Sequence, residues 1–205
     1  GPSTRAAVIN TLLTREIWTQ ALLTTLEKGN LATVQISPAH RQKLNQHPQL
    51  AIRARAAKLF GRVDVNRAKV IARYQNVTKL QGNTKRGATL FKANCAVCHK
   101  FKNEGNPVGP DLATLAGKPT TDWLTAILDP NRAVEDKYIG YVITTRANAV
   151  HFGVITVETP ASLTLRTLTG QEQVILRTNI KDLRSTGLSL MPVGLEAILP
   201  AQSMA

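Results

Sequence analysis

The sequence predicts a mainly α protein: a helical N-terminal region, then a compact helical core carrying a small antiparallel β insertion. Three observations lead there. Apolar residues recur at helical spacing through the first 80 residues, the period changes to alternation from Tyr138, and the only two cysteines share one string, Cys95-Ala96-Val97-Cys98-His99. With 205 residues, 43% hydrophobic and 19% charged, the chain can bury an ordinary core as one or two soluble domains. This composition excludes the disordered, collagenous and disulfide-dense classes.

Ser3 is placed to cap a first helix carrying Ala7, Val8, Leu12 and Leu13. Glu16 to Lys28 sets Ile17, Trp18, Ala21, Leu22 and Leu26 on one face, and Gly29-Asn30 ends that helix. Ser37-Pro38 reads as an N-cap followed by proline at the first helical position. Pro48 plays the same part for Gln49 to Phe60, with a stop at Gly61. A last helix runs from Asn66 to about Lys79, and Gln81-Gly82-Asn83 leads into the next region. Short antiparallel helix pairs of this kind suggest a helical-repeat architecture, with a plain bundle as the alternative.

Net charge is +13, and it is unevenly spread: residues 1–80 hold 13 of the 26 Lys and Arg but 3 of the 13 Asp and Glu. Four Phe, two Trp and three Tyr are too few for a base-stacking platform, which argues against nucleic acid as a partner. Arg55, Lys58, Arg62, Lys69 and Arg73 read as a solvated helix face. Pro192, Glu196 and Pro200 interrupt the most apolar stretch, so no membrane span is expected. Gly1-Pro2-Ser3 reads as the remnant of a cleaved tag, placing the natural N-terminus and any export signal outside this sequence.

From Tyr138, Ile139, Tyr141 and Ile143 alternate onto one face, and Val150 to Glu158 repeats the pattern. Turns at Thr159-Pro160 and Gly170 separate two further apolar runs. Residues 138–184 therefore read as a small sheet of about four strands.

Cys95, Cys98 and His99 form the attachment pattern of a c-type haem. Thiols one helical turn apart reach the two vinyl groups of a porphyrin, and the adjacent imidazole reaches the iron. Structural zinc lacks a third cysteine and a usefully spaced histidine pair, and a thioredoxin-like pair lacks its preceding strand. A disulfide requires that haem was never attached. Gly87, Phe91 and Cys95 share a helix face, and a glycine within a helix suggests another element crossing close by.

With Gly87-x-x-x-Phe91, the attachment motif and Val108-Gly109-Pro110-Asp111-Leu112, the chain resembles a class I cytochrome c. The resemblance implies that Pro110 accepts a hydrogen bond from axial His99, that Leu112 packs on the porphyrin, and that a methionine is the second axial ligand. Met191, in Ser189-Leu190-Met191-Pro192-Val193-Gly194, fits the distal segment better than Met204 near the end. The strings Val70 to Tyr74, Ile127-Leu128-Asp129-Pro130-Asn131 and Ser189 to Leu195 are similar to the haem-binding cytochrome c domain of planctomycete and verrucomicrobial type. That likeness implies a domain ending a larger polypeptide, after helical (HEAT-like) repeats and often a dehydrogenase-like propeller. Residues 1–80 would then be the end of the repeats and 81–205 the cytochrome domain, with 138–184 inserted. Arg132 and Tyr138 are candidate propionate partners.

These implications lead to a module holding one covalent haem c, with His99 and Met191 on the iron. It would pass single electrons to a redox partner protein or an upstream domain, outside the cytoplasm, without substrate chemistry of its own. The alternatives are a gas or redox sensor or peroxidase-like enzyme with an open sixth position, and a scaffold in which haem is secondary. No C-terminal helix is legible to cross Gly87 and Phe91, as class I cytochromes have.

Overall fold

A computed structural model describes residues 1–45, 47–60 and 65–205. Five helices come first: α1 (Pro2–Leu12), α2 (Glu16–Glu27), α3 (Pro38–Asn45), α4 (Leu50–Phe60) and α5 (Val65–Tyr74). Gly1 rather than Ser3 occupies the N-cap of α1, and the expected stop of α4 at Gly61 lies outside the described residues, as does Arg62. Ile9, Leu22, Leu23, Leu26, Ile36, Leu44, Ile52 and Ala56 form one buried cluster among α1 to α4. Ile17, expected on that face, is 72% exposed, because α2 buries the stripe of Thr19, Leu22, Leu23 and Leu26 instead. Thr19 tolerates complete burial because its hydroxyl donates to the carbonyls of Leu12 and Arg15, both 3.1 Å away.

Helix α5 joins a different core. Val70 packs with Val77, Leu124 and Leu128, and Ile71, Tyr74 and Met204 border that cluster. Leu124 and Leu128 belong to α7 (Thr120–Leu128), which follows α6 (Thr84–Asn94) and the 3-10 turn Leu112–Leu115. A short helix, α8 (Ala201–Met204), lies against the start of α6, where the Arg86 guanidinium donates to the Gln202 carbonyl at 2.5 Å.

The expectation of a mainly α fold with a small β insertion is wrong. Helix makes up about 47% of the chain, and a five-stranded antiparallel sheet takes 20%, so the strand-rich C-terminal part is not a small insertion in an α fold. The strands are β1 (Ile139–Thr145), β2 (Val150–Glu158), β3 (Ser162–Thr167), β4 (Glu172–Leu176) and β5 (Ile180–Ser189), in spatial order β4-β3-β2-β1-β5. Four follow the alternation and turns of the sequence. The fifth was missed because Lys181, Asp182, Arg184, Ser185 and Thr186 dilute its apolar pattern; it becomes a strand by pairing with β1, far away in sequence.

Ile139, Tyr141, Ile143, Leu163, Leu165 and Ile175 give the sheet its buried face. Each fully buried aliphatic residue of this kind contributes about 1.5–3 kcal/mol of apolar burial. The registry of β5 against β1 breaks at its end: Tyr141 faces Ser185, whereas Ile139 faces Ser189. Thr186, Gly187 and Leu188 form the extra length, with Gly187 at φ 66° and the Thr186 hydroxyl donating to the Gly140 carbonyl at 2.9 Å. This bulge turns the chain out of the sheet just before Leu190 and Met191.

Candidate functional site

Helix α6 starts at Asn83, whose side chain accepts from the Arg86 amide at 2.9 Å, and ends at Cys95. Cys95 and Ala96 both donate to the Phe91 carbonyl, and Cys98 and His99 both donate to the Cys95 carbonyl, so the motif is one tight turn extending the helix. Cys95 and Cys98 are free, half-buried thiols. Burial pushes both thiols up from their ordinary pKa, with the neighbouring Cys98 adding to the effect at Cys95.

A returning loop holds His99. Val108 and Gly109 donate to the Cys98 carbonyl at 3.0 and 2.7 Å, Asn106 donates to the Ala96 carbonyl at 2.9 Å, and Leu112 donates to the Lys100 carbonyl at 2.8 Å. Within this frame, His99 Nδ1 lies 2.9 Å from the Pro110 carbonyl. A carbonyl only accepts, so the proton sits on Nδ1 and the Nε2 lone pair is left for a metal. Gly109 is required beneath the ring: a Cβ there would lie 2.6 Å from His99 Cε1. Leu112, half-buried, begins the 3-10 turn capped by Asp111. Phe91 and Phe101 meet edge to face at 5.9 Å, and no residue of α6 is fully buried, although Leu90 and Phe91 face inward.

Residues 84–149 match the cytochrome c family model. Cytochrome c of Arabidopsis thaliana is 55% identical over 42 residues, which cover 20% of this chain and 38% of that protein. Cytochrome c of Cochliobolus lunatus is 54% identical over 41 residues, with the same coverage, and that of Stellaria longipes is 49% identical over 41. The match thus spans 38% of the length of the curated relatives. A match to that family implies covalently attached haem c. The residues present fit that group: two free thiols three positions apart, and an imidazole with its Nε2 lone pair free. Among the described residues, no three His, Cys, Asp or Glu side chains gather to hold a metal ion by themselves.

The remaining predicted residues fall less neatly. Met191 is half-buried in the turn after β5, with its amide donating to Ser189 Oγ at 3.1 Å. Met204 borders the Val70–Leu124 core instead. Arg132 is exposed, and Tyr138 lies under Lys137, whose ammonium is 5.0 Å from the ring centre; among the described residues no hydrogen bond joins either one to the Cys95–His99 turn. Among the described residues no element crosses close to Gly87, since a Cβ there would meet none of their atoms within 4 Å.

Sequence reasoning missed the support for this loop from the sheet. The Arg166 guanidinium of β3 donates to the Pro107 carbonyl at 2.5 Å and pairs with Glu172 of β4 at 2.6 Å. Gly170, in the β3–β4 turn at φ 82°, lies close against Asn106. These contacts join residues about 60 apart in the chain, and no local pattern signals them.

Proposed function

We propose that this chain is a one-electron transfer module that would hold a single covalent haem c through Cys95 and Cys98, with His99 and Met191 as the side chains that would bind its iron. Bound haem supplies an iron that alternates between ferrous and ferric states. The protein's part is to keep the ligands still during that change. Pro110 fixes the tautomer and orientation of His99. Gly109 lets the imidazole lie flat on the loop. Burial raises the pKa of both thiols. Met191 would offer the iron a weak thioether donor, which suits the ferrous state.

The observation that carries this reading is the 2.9 Å contact between His99 Nδ1 and the Pro110 carbonyl, made with Gly109 packed under the ring. The planctomycete-type strings support a place at the end of a larger dehydrogenase-like polypeptide outside the cytoplasm, where covalent haem attachment is carried out.

Protein matured with haem-ligation machinery is expected to gain the mass of one haem that acid-acetone does not extract. Cys95→Ala or Cys98→Ala lowers the holoprotein yield. Met191→Ala opens the iron to carbon monoxide and lowers the potential. Extractable haem overturns the attachment. A wild-type iron that binds carbon monoxide rapidly overturns Met191 as ligand and supports the sensor reading.

A further inference from the structure

The Asp129-Pro130-Asn131 string has no part in the attachment turn, yet it meets the segment that carries Met191. Helix α7 is seated in the Val70, Val77, Leu124 and Leu128 core, and Leu128, Asp129 and Pro130 are all buried. The chain turns there, with the Arg132 amide donating to the Asp129 carbonyl at 3.0 Å. Asn131 Oδ1 then accepts the backbone N–H of Ser189 at 2.8 Å. Ser189 is the last residue of β5 and lies beyond the bulge. Its hydroxyl oxygen accepts the Met191 amide at 3.1 Å.

We propose that Asn131 is a positioning residue for Met191, acting through Ser189. The proposal rests on Met191 being an iron ligand. Past its last ladder pair, Ile139 with Ser189, the chain leaves the sheet, and a segment without further ladder partners frays by default. Here one hydrogen bond, from the Ser189 amide to Asn131, ties the end of β5 to the turn after α7, and a second, from the Met191 amide to Ser189 Oγ, carries that anchor on to Met191. On the near side, Gly140 makes room for Leu190: a Cβ at Gly140 would stand 2.7 Å from Leu190 Cδ2. On the far side, Arg67 of α5 pairs with Glu196, and the Tyr74 hydroxyl donates to the Glu196 carbonyl at 3.2 Å. The five residues Leu190 to Gly194 are thus bracketed by anchors in α5 and in the turn after α7. Any outside ligand reaching the iron has to lift this segment, so its affinity reports how firmly the bracket holds.

The test uses holoprotein and imidazole as the competing ligand, read by titration of the ferric spectrum, together with the methionine-to-iron charge-transfer band. Asn131→Ala is expected to keep that band but bind imidazole roughly tenfold more tightly, the factor that loss of one ordinary hydrogen bond makes in an opening equilibrium. Asn131→Asp keeps an acceptor oxygen and stays within about twofold of wild type. Ser189→Ala, which removes only the link to Met191, gives the same tightening and serves if Asn131→Ala does not fold. Imidazole affinity unchanged in both alanine variants, with the band present in wild type and lost in Met191→Ala, overturns the positioning role alone. A wild type without the band, unaffected by Met191→Ala, overturns the ligand assignment on which the role rests.

Discussion

Gly109→Ala tests the packing beneath the imidazole. The added Cβ would stand 2.6, 2.9 and 3.1 Å from His99 Cε1, Nδ1 and Nε2, where carbon contacts are ordinarily about 3.5–4.0 Å. The backbone has no room to withdraw, because the Gly109 amide is held 2.7 Å from the Cys98 carbonyl. The ring must therefore retreat by about 1 Å, a displacement that stretches its 2.9 Å bond to Pro110 beyond hydrogen-bonding range. Overpacking of this kind costs about 1–3 kcal/mol, and the lost hydrogen bond about 1 more, so a destabilisation of about 2–4 kcal/mol follows. Gly117→Ala is the control, since a Cβ there meets nothing within 4 Å. Urea unfolding of the two holoproteins should separate their midpoints by roughly 1–2 M, taking an m-value of about 2 kcal/mol/M. The potential of Gly109→Ala should also shift, because the His99 tautomer is no longer held. Equal midpoints and equal potentials in both variants would refute the argument that the loop is shaped around the ring.

Two further outcomes follow from residues away from the iron. Met204→Ala removes a side chain bordering the Val70–Leu128 core; it is expected to cost about 1–2 kcal/mol, at or below the low end for core truncations since the side chain is only partly buried, and to leave the haem spectrum and potential unchanged. His40 is 2% exposed, with Nδ1 2.9 Å from Ser37 Oγ and Nε2 3.0 Å from Asn10 Oδ1, and burial lowers its pKa despite the Asp136 carboxylate 3.7 Å away. The unfolded chain then binds the proton that the folded chain refuses, so this residue's contribution to stability is fully present above about pH 6.5 and is lost as pH falls from there through the folded pKa. His40→Gln should flatten that part of the stability-versus-pH curve, measured by urea unfolding between pH 5 and 8; an unchanged slope would contradict the assignment.

What was legible in the sequence was local. Cys95, Cys98 and His99 share one tight turn of a single chain segment, and Gly109-Pro110 is close enough along the chain for the loop to fold back on the histidine it serves. Helices α2, α3 and α4 and the hairpins of β1 to β4 likewise follow from short-range period, caps and turn residues, because each carries its signal within its own length. The exposure of Ile17 and the empty space around Gly87 were not legible, since which face of a helix is covered depends on neighbours brought from elsewhere. The same reason hid β5, a polar segment that becomes a strand only against β1, and with it the true weight of the sheet in the fold. It also hid the contacts that hold the site: Arg166 on the Pro107 carbonyl and Asn131 on the Ser189 amide are single hydrogen bonds between residues 58 or 59 positions apart. The sequence by itself determined the chemistry of the attachment turn. Only the tertiary structure decided what steadies it, because a hydrogen bond between distant segments depends on packing that no local spacing encodes.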